Sequence, residues 1–271
     1  MPGGKLIATT TKAERPETAS SAKVLLFDIE SSPNIGFTWG RYEQTVIDFV
    51  KERQIISFAW KWLGEKKVHC LALPSFKGYR RNRTNNKSLI LELHKIISSA
   101  DIVVGHNVSN FDDKFANSEF AIHGLKPPPP HKQIDTLKVA RSKFRFNSNR
   151  LGDLSERLGF GKKARTGGFE LWLGCLRGEM GSWNRMMAYN KRDVVLLEKI
   201  YLKMRPWMTN HPATKPRENT NKNPECPICH ERKLQSKGTQ MNRKGRAPRY
   251  HCQSCGSWTL GIRVKNKWAV K

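Results

Sequence analysis

Asp28 and Glu30 are separated by a single residue and lie at the end of the apolar run Lys23–Glu30, near the start of the chain. The composition of this run predicts a buried β-strand. Alternate residues of a strand share a face, so the two carboxylates are predicted to project together. Adjacent carboxylates repel each other unless a cation lies between them. The pair therefore suits a divalent metal ion, although by itself it also fits a strand end that meets solvent.

Asp112 and Asp193 are further carboxylates in positions that suit the rim of the same sheet. Asp112 follows the apolar run Asp101–Val104 after a turn and opens a predicted helix, where it would also fit a helix cap beside Asp113. Asp193 lies four residues after Tyr189 in the last long helix, so their side chains share one helical face. That face continues in apolar residues and is predicted to pack on the sheet. An unpaired carboxylate on such a face is costly, which favours a functional role for Asp193.

Near the C-terminus, four cysteines form two Cys-x-x-Cys pairs separated by 22 residues. They are Cys226, Cys229, Cys252 and Cys255. Two such pairs supply four thiolates for tetrahedral Zn²⁺, so the sequence predicts one structural zinc ion. The stretch between them, Lys233–Tyr250, is dense in Lys and Arg, which suits contact with phosphates. The remaining cysteines, Cys70 and Cys175, are predicted to be packing residues.

The net charge points to the class of partner. The chain of 271 residues has 49 Lys and Arg against 23 Asp and Glu, a formal charge of +26. Such a balance most often indicates a polyanion, usually nucleic acid, and a basic solvated surface is the plainer alternative. A membrane role is disfavoured, because no apolar run approaches the length of a bilayer and no basic amphipathic helix stands out. The N-terminal residues lack an apolar signal-peptide core, which predicts an intracellular, cytoplasmic protein.

The elements that must hold these residues follow from the hydrophobic pattern. Predicted strands cover Lys23–Glu30, Ile55–Leu63, Lys67–Leu73, Asp101–Val104 and Gln133–Asp135. Predicted helices cover Ser88–Ala100, Phe111–His123, Thr136–Lys143, Leu151–Leu158 and Trp183–Met204. This order predicts an α/β fold of the ribonuclease H-like type, a mixed sheet flanked by helices, with a small zinc ribbon after it.

In this order and context, the three acidic motifs resemble those of the DEDD superfamily of 3′–5′ exonucleases. The motifs are Asp-x-Glu on a strand, Asn-x-x-x-Phe-Asp after a strand and Tyr-x-x-x-Asp on a helix. The tyrosine is typical of the subclass that includes the proofreading domains of family B DNA polymerases and stand-alone nucleases of bacteria and phages. The likeness covers roughly residues 23–204. It is strongest to the stand-alone group, also through the stretches Trp60–Gly64 and Ile134–Leu137.

The resemblance implies hydrolysis with two Mg²⁺ or Mn²⁺ ions. Asp28 would bridge both ions, and Glu30 and Asp193 would complete one of the two sites. Asp112 would hold the second ion, partly through water. Carboxylates are the hard oxygen ligands that these ions prefer.

The resemblance also implies roles around the metal site. Tyr189 would orient the attacking water, and Glu30 would lie near the terminal 3′ hydroxyl, which selects a free end. Asn107 and Phe111 would line the substrate cleft, with ordinary turn and core packing as the alternative for both. The implied activity is removal of nucleotides from single-stranded ends, with DNA favoured over RNA. A phage or bacterial origin is implied as well, and a phage protein would act in the host cytoplasm.

Four segments are predicted along the chain. They are a disordered tail (residues 1–22), a ribonuclease H-like exonuclease domain (23–205), a linker (206–223) and the zinc ribbon (224–271). The expected substrates are single-stranded DNA or RNA 3′ ends, and the ribbon is expected to bind nucleic acid or a replication or repair protein. Two other functions stay open: a structure-selective endonuclease, which Tyr189 disfavours, and a non-catalytic binding protein, which the intact carboxylates disfavour.

Overall fold

The structure, a computed structural model, describes residues 22–42, 45–162, 167–208, 211–212, 225–242, 245–264 and 267–270. The tail predicted for residues 1–22 lies outside the described residues except for Ala22. Of the linker predicted for residues 206–223, only 206–208 and 211–212 are described. Within the described part of the chain, no helix is both long enough and apolar enough to cross a membrane.

Most strands of the first 135 residues form one sheet. The strands are β1 (Val24–Ser31), β2 (Ile35–Phe37), β3 (Asp48–Lys51), β4 (Ile55–Trp62), β5 (His69–Ala72), β6 (Ile102–Gly105) and β7 (Lys132–Asp135). Five of them form the main sheet in the order β5-β4-β1-β6-β7. β1 pairs antiparallel with β4 and parallel with β6, so the sheet is mixed. β2 and β3 pair only with each other, as a separate hairpin between β1 and β4.

Among the described residues, six helices flank this sheet. They are α1 (Lys87–Ser98), α2 (Asp112–Ile122), α3 (Thr136–Lys143), α4 (Leu151–Arg157), α5 (Glu170–Arg177) and α6 (Met180–Met204). Short 3₁₀ turns cover Leu73–Ser75, Lys77–Arg80 and Arg205–Trp207. One apolar core contains side chains of α1, α2 and α5, and a second contains those of α3, α4 and most of α6. The mixed sheet between two helical layers confirms the predicted fold class.

The central strand β1 supplies side chains to both cores, as the period of two in a strand requires. Leu25, Phe27 and Ile29 belong to the first core. Val24 and Leu26 belong to the second, which includes α6. Asp28 and Glu30 continue the alternation of Val24 and Leu26, so both carboxylates lie on the face of the sheet that α6 covers. On this face, β1 and α6 come together although they are distant in the sequence.

The C-terminal segment forms its own sheet. Its strands are β8 (Leu234–Asn242), β9 (Gly245–Cys252), β10 (Trp258–Val264) and β11 (Lys267–Val270). They are ordered β11-β10-β9-β8, and each neighbouring pair is antiparallel.

Each of the ten predicted elements is present in the structure. The elements missed by the prediction are the hairpin of β2 and β3, helix α5 and the strands of the C-terminal segment. Helix α5 has eight residues and begins close after the glycines Gly167 and Gly168, so neither its length nor its start gives a clear helix signal. The hairpin strands are exposed and do not alternate between apolar and polar residues, so they carry no amphipathic strand pattern.

The two faces of α1 provide a test of the packing. Leu93 is fully buried, whereas Leu91 on the same helix is 44% exposed. We expect Leu93→Ala to lower the free energy of unfolding by about 2–5 kcal/mol, because it removes buried methyl groups and leaves a cavity. Leu91→Ala, the matched control, should change it by less than about 1 kcal/mol. Urea denaturation followed by circular dichroism measures both, and equal effects would contradict this orientation of α1.

Candidate active site and zinc centre

The candidate active site lies where β1 ends. The pairing of β1 with β4 shifts register between Glu30 and Ser31, which is a β-bulge at the second carboxylate. Bulges occur next to active sites because they interrupt the ladder and redirect a side chain. Asp28 and Glu30 are both half-buried here, so they combine access to solvent with a partly apolar setting. The predicted pair therefore lies at the end of the central strand, partly open to solvent.

Helix α6, which covers this face of the sheet, supplies the third carboxylate. Its buried residues Val194, Leu197 and Ile200 pack on the sheet and fix its position. Asp193 shares this inward face and is only 1% exposed. Carboxylate oxygens of Asp28, Glu30 and Asp193 all lie within 4.8 Å of one another. The structure thus brings together three of the four predicted metal ligands.

Asp112 lies at the same strand end but outside this group of three. Its Oδ1 accepts a hydrogen bond from the backbone N–H of Ile29, 3.2 Å away, between the two carboxylates of β1. The side chain is 4% exposed, and burial raises the pKa of its carboxyl to about 7, against the opposing effect of the Ile29 hydrogen bond. Asp135 and Asp113 raise the pKa further through their negative charge. A bound cation nearby would favour the ionised form of Asp112.

The turn before Asp112 is tightly built. Gly105 allows it to fold back, since a Cβ there would lie 2.5 Å from Cβ of Val108. Asn107 has a φ of 70°, a left-handed conformation that Asn tolerates better than most residues. The backbone N–H of Asn107 donates to Asp135 Oδ1 at 2.9 Å, and Ser109 donates to Asp135 Oδ2 through its hydroxyl at 2.6 Å. This conformation accounts for Asn107 as a turn residue.

Asp135 fixes two segments of the backbone beside the site. It caps α3, accepting from the N–H of Leu137 at 3.0 Å and of Lys138 at 3.3 Å. The same carboxylate also holds the turn that contains Asn107 and Ser109. It therefore fixes the segment that delivers Asp112 to the end of β1.

Tyr189 and Phe111 border the site on different elements. Tyr189 lies one helical turn before Asp193 on α6 and is half-buried against the first apolar core. Phe111 immediately precedes α2 and is half-buried, with its ring centroid 5.9 Å from that of Phe115. The guanidinium of Arg53 lies over both rings, 5.9 Å from Phe111 and 5.1 Å from Phe115. Phe111 is thus one edge of an aromatic and cationic surface beside the site.

Asn190 is a site residue that the sequence did not single out. It is fully buried on α6, and its amide nitrogen donates to Asp28 Oδ2 at 2.7 Å and to the backbone oxygen of Asp28 at 3.2 Å. Its amide oxygen accepts from the hydroxyl of Ser57 at 3.1 Å, which leaves only the nitrogen to face Asp28. Asn190 therefore holds the orientation of the Asp28 carboxylate. The only sequence signal was its place next to Tyr189.

The three clustered carboxylates suit a divalent cation. They offer several oxygen atoms in a small volume at the end of the central strand, and carboxylate oxygens are the donors that Mg²⁺ and Mn²⁺ prefer. Their mutual repulsion is reduced when a positive charge lies between them. Asp28, Glu30 and Asp193 would hold the ion, and Asn190 would keep the first of them in place.

The four cysteines near the C-terminus form a second cluster. Their sulfur atoms all lie within 4.8 Å of one another, with Cys226 to Cys255 at 3.7 Å and Cys229 to Cys252 at 3.6 Å. Thiolates about 2.3 Å from a tetrahedral Zn²⁺ lie about 3.8 Å apart, far longer than a disulfide. The cluster therefore fits a zinc ribbon, as predicted.

The two Cys-x-x-Cys turns share one backbone construction. The N–H of His230 donates to the carbonyl of Cys226, and that of Gly256 to the carbonyl of Cys252, both at 2.9 Å. His230 and Gly256 have positive φ, 64° and 73°. His230 is thus the turn residue of the first pair and is not among the clustered metal ligands.

Comparisons with known proteins agree with the fold. The sequence model of the RNase_H superfamily matches residues 54–205. The structure is similar to that of the family B DNA polymerase from the hyperthermophilic archaeon Pyrobaculum calidifontis, with a TM-score of 0.52 and 14% sequence identity. That match covers 69% of this chain and 25% of the polymerase chain, so the likeness concerns the fold of one part of the polymerase. A comparison with curated proteins gives no match.

Asn190→Ala tests the positioning of Asp28. We expect the variant to bind Mn²⁺ about 10- to 100-fold more weakly, because the carboxylate loses the donor that orients it. Titration by electron paramagnetic resonance of free Mn²⁺ measures the affinity. Asn184→Ala is the matched control, since Asn184 is exposed on the same helix. Unchanged Mn²⁺ affinity in a folded Asn190→Ala protein would contradict this role.

Cys252→Ser tests the zinc centre. We expect the purified wild-type protein to contain one zinc ion per chain and the variant to contain far less, because three thiolates hold the ion more weakly. Inductively coupled plasma mass spectrometry measures the metal content. Cys70→Ser should retain the zinc ion, since Cys70 lies outside the cluster. Full zinc occupancy in Cys252→Ser would exclude Cys252 as a ligand.

Proposed function

Because this chain belongs to the RNase_H superfamily, we propose that it is a metal-dependent exonuclease that removes nucleotides from the 3′ ends of single strands, with DNA favoured over RNA. The observation that carries this proposal is the convergence of Asp28, Glu30 and Asp193 within 4.8 Å. Tyr189, one turn before Asp193 on α6, supports the tyrosine subclass of DEDD exonucleases. The fold shared with a family B DNA polymerase is consistent with that subclass.

The proposed reaction is hydrolysis of the last phosphodiester bond. Water attacks the phosphorus atom, and the bond from phosphorus to the 3′ oxygen of the preceding nucleotide breaks. The products are a 5′-mononucleotide and a strand with a new 3′ hydroxyl. Two Mg²⁺ or Mn²⁺ ions, when bound, supply the positive charge that offsets the negative charge developing on the oxygens of the phosphoryl group.

The residues of the chain bind and orient the reacting groups. Asp28, held by Asn190, is the proposed ligand common to both ions. The hydroxyl of Tyr189 orients the attacking water by a hydrogen bond, since a phenol with a reference pKa near 10 is a poor general base at neutral pH. Glu30, half-buried at the bulge, is the proposed contact for the terminal 3′ hydroxyl. Asp112 is the proposed ligand of the second ion.

The zinc ribbon is proposed to add contacts to the substrate. Arg249 lies over the ring of Trp258, 5.0 Å from its centroid, and that ring is 50% exposed. A cation beside an exposed aromatic ring suits a phosphate and a base of the same strand. A replication or repair protein is the other proposed partner of the ribbon, and the salt dependence of binding distinguishes the two.

Labelled oligonucleotides test the proposed activity. The full-length protein with Mg²⁺ or Mn²⁺ is expected to shorten 5′-labelled single strands stepwise from the 3′ end, DNA faster than RNA. Asp28→Ala should abolish this shortening, because it removes the ligand shared by both ions. Internal cuts would support the endonuclease in place of the exonuclease. Retarded but intact strands would support a non-catalytic binding protein.

Tyr189→Phe tests the proposed hydroxyl. We expect turnover to fall by roughly 10- to 10³-fold at saturating metal, because one positioning interaction is lost while the ring is retained. Single-turnover kinetics on a 5′-labelled strand measure the chemical step, and Mn²⁺ affinity should stay near that of the wild type. An unchanged rate would identify Tyr189 as a packing residue.

The salt dependence of binding tests the ribbon. With Ca²⁺ in place of Mg²⁺ to suppress cleavage, we expect Cys252→Ser to bind a single-stranded 24-mer less tightly and with a shallower salt slope. Each lost phosphate contact should reduce the slope of log K against log salt concentration by about 0.7. Fluorescence anisotropy across a salt series measures this, with Cys70→Ser as control. Identical slopes would favour a protein partner for the ribbon.

A further inference from the structure

The hairpin of β2 and β3 carries a concentrated set of exposed apolar side chains. Of the sixteen large apolar side chains that are exposed among the described residues, eight lie between positions 35 and 50. They are Ile35, Phe37, Trp39, Tyr42, Val46, Ile47, Phe49 and Val50. Trp39 is 87% exposed and Tyr42 91%. Large contiguous patches of exposed apolar side chains mark interaction sites on proteins.

The hairpin is anchored where it leaves the main sheet. The hydroxyl of Ser32 accepts from the N–H of Gln54 at 3.0 Å, and Asn34 Oδ1 accepts from the N–H of Arg53 at 2.6 Å. The indole N–H of Trp172, on α5, donates to the carbonyl of Ser31 at 3.0 Å. The base of the hairpin is therefore fixed to both the sheet and a helix, although its strands pair with nothing else among the described residues.

Gly36 gives the hairpin its close internal packing. A Cβ at this position would lie 2.4 Å from Cγ1 of Val46 and 2.7 Å from the carbonyl oxygen of Asp48. Only glycine allows these segments to approach so closely. The exposed rings are thus presented by a tightly packed hairpin with a fixed base.

The hairpin is continuous with the candidate active site. It begins five residues after Glu30, and the bulge at Glu30 and Ser31 is the point where the chain leaves the sheet. Arg53, at the other end of the hairpin, lies over the rings of Phe111 and Phe115. Both ends of the hairpin therefore adjoin the candidate site, one at the bulge of β1 and the other through Arg53 beside the turn before Asp112.

We propose that this hairpin is a stacking surface for unpaired bases of the single strand whose 3′ end occupies the active site. The proposal rests on the exonuclease function proposed above. It adds the surface that binds the part of the strand distant from the cleaved bond. Trp39 and Tyr42 stack on successive bases, and Arg41 between them contacts the backbone phosphates.

The residue types favour nucleic acid over a protein partner. The segment from Phe37 to Tyr42 reads FTWGRY, in which rings alternate with small residues and one arginine. Rings stack on any base, so such a surface binds a strand without selecting its sequence. Arg41, between Trp39 and Tyr42 in the sequence, adds a positive charge that suits the phosphates of a strand stacked on those rings.

Binding of single strands to the full-length protein tests the proposal. Fluorescein-labelled oligo-dT of 4, 12 and 24 nucleotides is titrated with Ca²⁺ in place of Mg²⁺, and anisotropy gives the dissociation constant. We expect Trp39→Ala and Tyr42→Ala each to bind the 12-mer and 24-mer about 10-fold more weakly, with a smaller loss for the 4-mer. Trp39→Phe should recover most of the affinity, because it restores a ring. Ile122→Ala removes an apolar side chain that is 75% exposed on α2 and should leave all three constants unchanged.

A second variant keeps every ring and changes their arrangement. Gly36→Ala should weaken binding of the 12-mer to a similar extent, since its methyl group forces Val46 away from β2. Equal affinity of wild type, Trp39→Ala and Gly36→Ala for the 12-mer would overturn the proposal. So would retained affinity together with a change of oligomeric state in size-exclusion chromatography, which would identify the hairpin as a contact between copies.

The binding assay is independent of cleavage, so the two proposals fail separately. If the wild type trims 3′ ends but the hairpin variants bind normally, the stacking surface is wrong and the exonuclease stands. If the wild type cuts nothing but the hairpin variants lose affinity in proportion to strand length, the exonuclease is wrong and the surface stands as a binding site.

Discussion

The repulsion among clustered carboxylates is the constraint on which the architecture of the site depends. Asp28, Glu30 and Asp193 have oxygens within 4.8 Å of one another, and Asp112 is buried against the same strand end. Such a group is unstable unless its surroundings hold it in place and a cation offsets the charge. The apolar packing of α6 on β1 provides the first condition, and the amide of Asn190 contributes to it by a hydrogen bond to Asp28.

Hydrogen bonds also fix the backbone turns around the site. Asp135 accepts hydrogen bonds both from the start of α3 and from the turn after β6. It therefore ties the approach of Asp112 to the edge strand β7, in the way that Asn190 ties Asp28 to α6. Two polar side chains without a proposed catalytic step thus determine where two of the carboxylates lie.

Strong local patterns made the fold and the carboxylates predictable. Asp28 and Glu30 followed from a period of two on an apolar strand, and Asp193 followed from its place on the inward face of a long helix. The four cysteines followed from their spacing alone. These signals depend on neighbours in sequence, which is why they could be read directly.

Contacts between distant residues could not be predicted in the same way. Asn190 is defined by partners on β1 and β4, more than 130 positions away, and an asparagine in a helix carries no mark of them. The separation of Asp112 from the other three carboxylates depends on the exact path of the turn, which Gly105 and Asp135 set together. The hairpin was missed because its apolar residues face solvent, whereas pattern reading assumes that such residues are buried.

Helix α6, a continuous segment of 25 residues, contributes both to the core and to the candidate metal site. Its inner positions fill the second core and also supply Asp193 and Asn190, so a change that suits packing must also suit the metal site. Substitutions in this helix are therefore expected to be tolerated best at its exposed positions, such as Asn184. Deletion of one residue from α6 would displace both the core side chains and the carboxylate cluster, because all residues that follow are rotated by about 100° relative to those before.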